Sequence, residues 1–63
     1  MPEKLSLKQA RMMRDISQIE MAKRLDVHPQ TYSMWEKEPN KISIGKASQI
    51  CKILEVRFED IFL

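Results

Sequence analysis

The residue types that most often catalyse reactions or hold metals are scarce in this chain. Its one histidine, His28, and its one cysteine, Cys51, are more than twenty positions apart, whereas a zinc site needs about four ligands. No nucleophile stands with a base and an orienting group, as a catalytic site requires. We therefore predict no metal, no cofactor, no small-molecule ligand and no enzymatic activity.

The distribution of charge favours an anionic partner. Residues 1–54 contain ten Lys and Arg against six Asp and Glu, whereas the last nine residues contain one Arg against three acidic residues. A basic body with an acidic tail suits a surface that faces phosphate groups on one side. The net charge of +2 is too small to indicate nucleic-acid binding by itself.

Length and composition favour one small globular domain over residues 1–63. The chain is 43% hydrophobic and 32% charged, and a chain this short buries only about 60% of its unfolded surface. A lone cysteine excludes an intramolecular disulfide, so the cytoplasm is the expected compartment. No apolar run approaches the roughly 20 residues of a membrane span, and the N-terminus has no signal-peptide pattern.

Capping patterns predict the first two of five helices. Helix 1 follows the N-cap Ser6 and runs to about Arg14. Ser17, followed three residues later by Glu20, predicts a reciprocal capping box at the start of helix 2. The inward stripe of helix 1 combines Leu7, Ala10, Arg11 and Arg14, and the neighbouring Met12 and Met13 are expected to fill the core.

Pro29 begins helix 3, which runs to about Glu36 after a short turn at residues 26–28. Proline at the first helical position is favourable, and His28 can cap the helix. Tyr32 and Trp35 lie on the inward face because they are three residues apart. The outward residues, which are nearly free of negative charge, are Gln30, Thr31, Ser33, Met34 and Lys37.

A loop over residues 36–41 precedes two further helices. Ser43 is the predicted N-cap of helix 4. Helix 5 is short and spans about Phe58 to Phe62. The apolar stripe of helix 4 consists of Ile44, Ala47, Ile50, Cys51 and Leu54.

Residues 18–37 resemble the helix-turn-helix of the phage repressor and Cro-like family of XRE-type regulators, and the resemblance extends over nearly the whole chain. The family pattern has a small residue where the two helices cross, and Ala22 occupies that position. Apolar residues fill the angle between the helices at Met21, Leu25, Val27, Tyr32 and Trp35. The resemblance implies an all-α, five-helix, lambda-repressor-like DNA-binding domain whose motif is formed by helices 2 and 3.

The resemblance also implies an ion pair. In this family an arginine of helix 1 often pairs with a glutamate that closes the recognition helix, and Arg11 and Glu36 occupy those positions. The sequence departs from the family at three turns where glycine is usual. Asp26 tolerates left-handed backbone, whereas Glu38 and Glu55 are less suited to it, so we expect those two loops to follow other paths.

The family implies which residues contact DNA. Gln18, which opens helix 2, matches a glutamine that clamps a backbone phosphate, and the alternative is a solvated amide. Base contacts are implied at and just before the start of helix 3, at His28, Pro29, Gln30, Ser33 and Met34. Gln30 is best suited, because its amide can bond adenine N7 and N6 together. His28 is equally expected to serve only as a cap.

Three lysines surround the end of helix 3 and the start of helix 4, where family members lie against the DNA backbone. These residues, which we predict to contact phosphates, are Lys37, Lys41 and Lys46. The alternative for each is a solvated surface side chain.

The implied function is sequence-specific binding of double-stranded DNA by a transcriptional regulator of phage-related type. A repressor acting as a homodimer on a pseudo-palindromic operator fits best, since one helix reads only a few base pairs. Dimerisation is expected through the C-terminal apolar residues Phe58, Ile61, Phe62 and Leu63. The alternative is a protein-interaction module, such as an adaptor, inhibitor or antitoxin-like protein, that keeps the fold without specific DNA binding.

Overall fold

A computed structural model describes residues 5–62, which form five α-helices and one 3-10 helix and contain no strand. The α-helices are α1 (Leu7–Met13), α2 (Gln18–Leu25), α3 (Pro29–Lys37), α4 (Ile44–Leu54) and α5 (Phe58–Ile61), and the 3-10 helix is Pro39–Lys41. The predicted all-α, five-helix class is confirmed. Predicted helix ends differ from these bounds by one residue at α1, α3 and α5. Within the described range, no helix is long and apolar enough to cross a bilayer.

Serine side chains cap α1, α2 and α4, as the sequence predicts. Ser6, Ser17 and Ser43 each accept the backbone N–H of the residue three positions later. The reciprocal half of the box predicted at Ser17 is wrong, because the Glu20 carboxylate accepts Arg24 Nε–H at 3.0 Å. The complete box lies at α1, where the Gln9 side chain accepts the Ser6 N–H at 2.9 Å.

The core lies between α1, α2, α3 and α4. Ala22, at the predicted helix crossing, is fully buried, which allows α2 and α3 to approach closely. The buried cluster consists of Leu7, Ala10, Met21, Ala22, Leu25, Tyr32, Trp35, Ile50 and Leu54. The predicted inward faces of α2 and α3 are therefore confirmed. Cys51 is also buried, and this burial raises the pKa of its thiol.

Three residues predicted in the core lie at the surface instead. Met12 and Met13 are 57% and 69% exposed, and Ile44 is 76% exposed. The two methionines come directly after Arg11, so the helical rotation of about 100° per residue carries them away from the buried stripe. Ile44 is the first residue of α4, and the helix reaches the core one turn later at Ala47.

Acidic residues adopt left-handed backbone in the turns after α1, α2 and α4. They are Asp15, Asp26 and Glu55, with φ of 56°, 57° and 57°. The expectation for Asp26 is confirmed, whereas the expectation of a different path at Glu55 is wrong. Glu38 has φ −133° and leads into the 3-10 helix, so that loop does follow another path.

Candidate nucleic-acid interface

The turn between α2 and α3 fixes the direction in which α3 leaves the core. Asp26 adopts left-handed backbone, and the Val27 N–H donates to the Ala22 carbonyl at 3.0 Å. Bonds of this kind close the end of a helix. Val27 and His28 follow Asp26, and α3 begins at Pro29.

His28 caps the first turn of α3. Its Nδ1 accepts the Gln30 backbone N–H at 3.1 Å, and Pro29 has no N–H that needs a partner. A neutral imidazole that accepts at Nδ1 carries its proton on Nε2. The cap is therefore present, and the Nε2–H group is a donor that a ligand could still use.

The outward face of α3 combines polar and apolar groups. His28, Pro29 and Gln30 are exposed, Met34 is 41% exposed, and Ser33 is half-buried. This face offers an amide that both donates and accepts, a hydroxyl, and a flexible apolar chain. On the opposite side the buried Tyr32 and Trp35 rings meet edge to face, with centroids 6.4 Å apart.

A network centred on Glu36 ties the end of α3 to α1 and α2. Arg11 Nε donates to Glu36 Oε2 at 2.6 Å and Arg11 Nη2 to Oε1 at 3.3 Å. Only 9% and 6% of the two side chains are exposed. Gln18 Nε2 donates to Glu36 Oε1 at 2.8 Å, and Arg11 Nη1 to the Ile16 carbonyl at 2.7 Å. Glu36 therefore accepts bonds from both preceding helices.

The surroundings of Glu36 keep this network charged. Hydrogen bonding to Glu36 raises the pKa of Arg11 above its ordinary value. Burial opposes ionisation of Glu36, but the Arg11 hydrogen bond, with smaller contributions from the polar groups of Tyr32 and Gln18, outweighs it and holds the pKa of Glu36 below its ordinary value. The nearby Tyr32 hydroxyl is buried without a well-aligned hydrogen-bond partner in residues 5–62, and burial raises the pKa of Tyr32.

Gln18, the predicted phosphate clamp, is the first residue of α2 and is half-buried. The bond to Glu36 fixes the direction of its side-chain amide. Its backbone N–H belongs to the group of amides at a helix start that lack an intrahelical acceptor. Gln18 therefore offers a fixed side chain beside the positive end of the helix dipole.

The three predicted phosphate-contacting lysines have different surroundings. Lys37 is exposed, and the exposed Lys41 lies 3.7 Å from a Glu38 carboxylate oxygen. Lys46 is half-buried, and its Nζ donates to the Leu25 carbonyl at 2.6 Å. The first two lysines are thus exposed, whereas the ammonium group of the third is bound to the last residue of α2.

The sequence prediction missed two contacts between basic side chains and helix ends. One is the Lys46 bond to Leu25. The other involves Arg14, predicted on the inward stripe of α1, which is instead exposed and donates from Nε to the Leu54 carbonyl at 2.8 Å. A cation near a helix C-terminus is favourable, but no sequence pattern shows which distant helix end a basic side chain will reach.

The C-terminal residues predicted for dimerisation are half-buried where they are described. Ile61 packs against the core, and the rings of Phe58 and Phe62 lie 5.0 Å apart. Leu63 lies outside the described residues. Within residues 5–62, the large apolar side chains that are exposed lie elsewhere, at Met12, Met13, Ile19, Met34 and Ile44.

Comparison with known proteins agrees with this geometry. A family model described as helix-turn-helix matches residues 7–61, which is nearly the whole chain. No curated protein and no solved structure matches the chain.

Proposed function

Since the chain belongs to the helix-turn-helix family of XRE-type, DNA-binding transcription regulators, we propose that it is a repressor of a specific operator. The observation that carries this proposal is the outward face of α3. Gln30 and Met34 are exposed there, while Tyr32 and Trp35 hold the opposite side in the core. A helix of this kind fits the major groove, which is about 12 Å wide.

Gln30 is the principal base-reading residue in this proposal. Its amide bonds N7 and N6 of one adenine, which discriminates against other bases by about 1–3 kcal/mol. Met34 presses on a thymine methyl group, and Ser33 bonds either a donor or an acceptor. His28 donates from Nε2, and Pro29 makes apolar contact.

The proposed phosphate contacts surround the outward face of α3, which we call the reading face. Gln18 binds one phosphate through its backbone N–H and its fixed amide, because anions are favoured at a helix start. Lys37 and Lys41 bind phosphates farther along the DNA backbone. Each lysine contact should contribute about 0.9 to the slope of the logarithm of affinity against the logarithm of salt concentration.

A homodimer extends the recognised sequence in this proposal. Residues 1–63 act as one domain in the cytoplasm, and two copies bind half-sites about 34 Å apart. The C-terminal residues Phe58, Ile61, Phe62 and Leu63 form the contact between copies. Support comes from their apolar chemistry, since α5 has no buried residue of its own.

Selection of bound sequences from random duplexes tests the proposal. The selected site should be a pseudo-palindrome, and binding should weaken steeply between low and moderate salt. Gln30→Ala should relax the preference at one position of each half-site. Gln49→Ala, at an exposed glutamine of α4, is the matched control and should bind as the unmodified chain does. Absence of duplex binding at low salt would overturn the proposal.

A second candidate function, a protein-interaction module, is favoured by one observation. Met12, Met13, Ile19 and Ile44 are all more than half exposed, and none of them belongs to the outward face of α3. A chain that binds no duplex but loses binding to a protein partner on Met13→Ser would support this function instead.

A further inference from the structure

The Lys46 side chain joins the start of α4 to the end of α2. Its Nζ donates to the Leu25 carbonyl at 2.6 Å in half-buried surroundings. The Lys46 backbone is itself fixed, because its N–H donates to the Ser43 hydroxyl at 3.2 Å. The contact is therefore anchored at both ends by helical backbone.

The bond lies next to the turn that leads into α3, the helix that carries the reading face. Leu25 is the last residue of α2, directly before the left-handed Asp26. The bond closes a loop of chain that runs through the turn, α3 and the 3-10 helix back to α4. At the other end of α2, Gln18 bonds Glu36 at 2.8 Å. The start of α2 is thus tied to α3, which contains Gln30, and the end of α2 is tied to α4.

The chemistry of the contact separates Lys46 from the other two lysines. The last carbonyls of a helix lack intrahelical partners, and a cation that binds one of them is also stabilised by the negative end of the helix dipole. Lys37 and Lys41 are exposed, whereas the Lys46 ammonium is already engaged.

We propose that Lys46 is a positioning residue for DNA recognition: its bond to the Leu25 carbonyl holds the turn at Asp26, and thereby α3, in the orientation that reads bases. This inference rests on the proposed function and replaces the phosphate contact expected for Lys46. It implies that loss of Lys46 weakens specific binding without removing a counterion-releasing contact.

The first test compares Lys46→Met with two matched variants, using the selected duplex and a scrambled duplex. Lys41→Met removes an expected phosphate contact, and Lys52→Met removes an exposed charge from α4 itself. Affinities are measured across salt concentrations, at a temperature where circular dichroism shows each variant to be folded.

Lys46→Met should weaken binding to the selected duplex about tenfold, which corresponds to about 1.4 kcal/mol. Its salt slope should equal that of the unmodified chain, and its affinity for the scrambled duplex should stay within about twofold. Lys41→Met should lose about 0.9 of the slope and weaken on both duplexes, and Lys52→Met should change neither. A reduced slope for Lys46→Met, equal losses on both duplexes, or unchanged affinity would overturn the inference.

A second test needs no DNA and separates this inference from the proposed function. The Val27 N–H bonds the Ala22 carbonyl at 3.0 Å, and the Val56 N–H bonds the Cys51 carbonyl at 3.1 Å in the turn after α4. Lys46→Met should accelerate hydrogen exchange at Val27 and leave Val56 unchanged.

Arg14→Met, which removes the bond to Leu54, should accelerate hydrogen exchange at Val56 and leave Val27 unchanged. Equal acceleration of both amides in Lys46→Met would mean general destabilisation and would contradict a positioning role. If the unmodified chain binds no duplex, the proposed function fails, while the exchange result still shows whether Lys46 holds the turn.

Discussion

The turn after α2 and the turn after α4 have the same construction. Residues 25–27 read Leu-Asp-Val and residues 54–56 read Leu-Glu-Val. The acidic residue of each has φ 57°, and each valine N–H bonds the carbonyl five residues earlier, at 3.0 and 3.1 Å. Each leucine carbonyl accepts a basic side chain, from Lys46 or Arg14. The N-terminal helix pair, α2 and α3, and the C-terminal helix pair, α4 and α5, are therefore joined by the same kind of turn.

The helices that begin after these two turns are different. α3 has nine residues, a histidine cap, and two buried aromatic residues. α5 has four residues, none of them buried, and its ion pairs between Arg57 and Glu59 or Asp60 are exposed. The comparison teaches that α3 is long enough to anchor one side in the core while its other side stays exposed, whereas α5 is not. In the proposed function, α3 rather than α5 therefore reads bases.

The buried ion pair should be the largest energetic difference between the two helix pairs. Arg11→Ala strands Glu36 without its cation, which costs about 3–5 kcal/mol. This loss is comparable with the whole stability of a small domain, so the variant should be largely unfolded in thermal denaturation. Arg57→Ala, the control in the C-terminal pair, should leave the melting midpoint nearly unchanged because its partners are exposed. An unaltered melting midpoint for Arg11→Ala would show that the Arg11–Glu36 ion pair does not stabilise the fold.

Acid should destabilise the fold through the buried carboxylate of Glu36. The folded pKa of Glu36 lies below its ordinary value of 4.5, so this group stabilises the fold above the unfolded pKa. That stability is lost as the pH falls through the folded pKa. The free energy of unfolding should therefore decrease from about pH 5 downward, by less than Arg11→Ala costs. Urea denaturation checks this, and Glu36→Gln should flatten the pH profile while being less stable at neutral pH.

Gln30 and Glu59 occupy equivalent positions, five residues after their leucines, and allow a functional comparison. Gln30→Ala should weaken binding to the selected duplex by about 1–3 kcal/mol, because a bidentate base contact is lost. Glu59→Ala should not weaken binding, since α5 does not enter the groove in the proposed function. Titration of a labelled duplex measures both. A loss for Glu59→Ala as large as that for Gln30→Ala would mean that the reading face is assigned wrongly.

The sequence predicted the features that depend on neighbouring residues. Helices and serine caps are determined within about four positions, so Ser6, Ser17 and Ser43 could be identified from local pattern. The Arg11 and Glu36 contact spans 25 residues and was accessible only through the family resemblance. The Lys46 bond to Leu25 had no such signal, because it depends on how α4 packs beside α2.

The similarity of residues 25–27 and 54–56 was a signal that the sequence prediction did not use. The Glu55 path was expected to differ because glutamate suits left-handed backbone poorly. In the structure the Val56 N–H bond to Cys51 and the Arg14 bond to Leu54 close the same turn around it. One local and one tertiary hydrogen bond thus accompany a backbone conformation that costs about 1–2 kcal/mol for a residue other than glycine.

Replacing the left-handed residue of each turn by glycine should have the smallest predicted effect on stability, and it compares the two turns directly. Glycine adopts left-handed backbone without the side-chain clash, so Glu55→Gly should raise the free energy of unfolding by about 1 kcal/mol. Asp26→Gly should gain less, because aspartate already relieves part of the cost by bonding nearby backbone. Glu38→Gly is the control: with φ −133°, it gains nothing in the fold and should be slightly destabilising, since glycine loses more freedom on folding. Urea denaturation of the three variants measures the order, and equal gains at positions 26 and 55 would mean that the aspartate has no local advantage over glutamate.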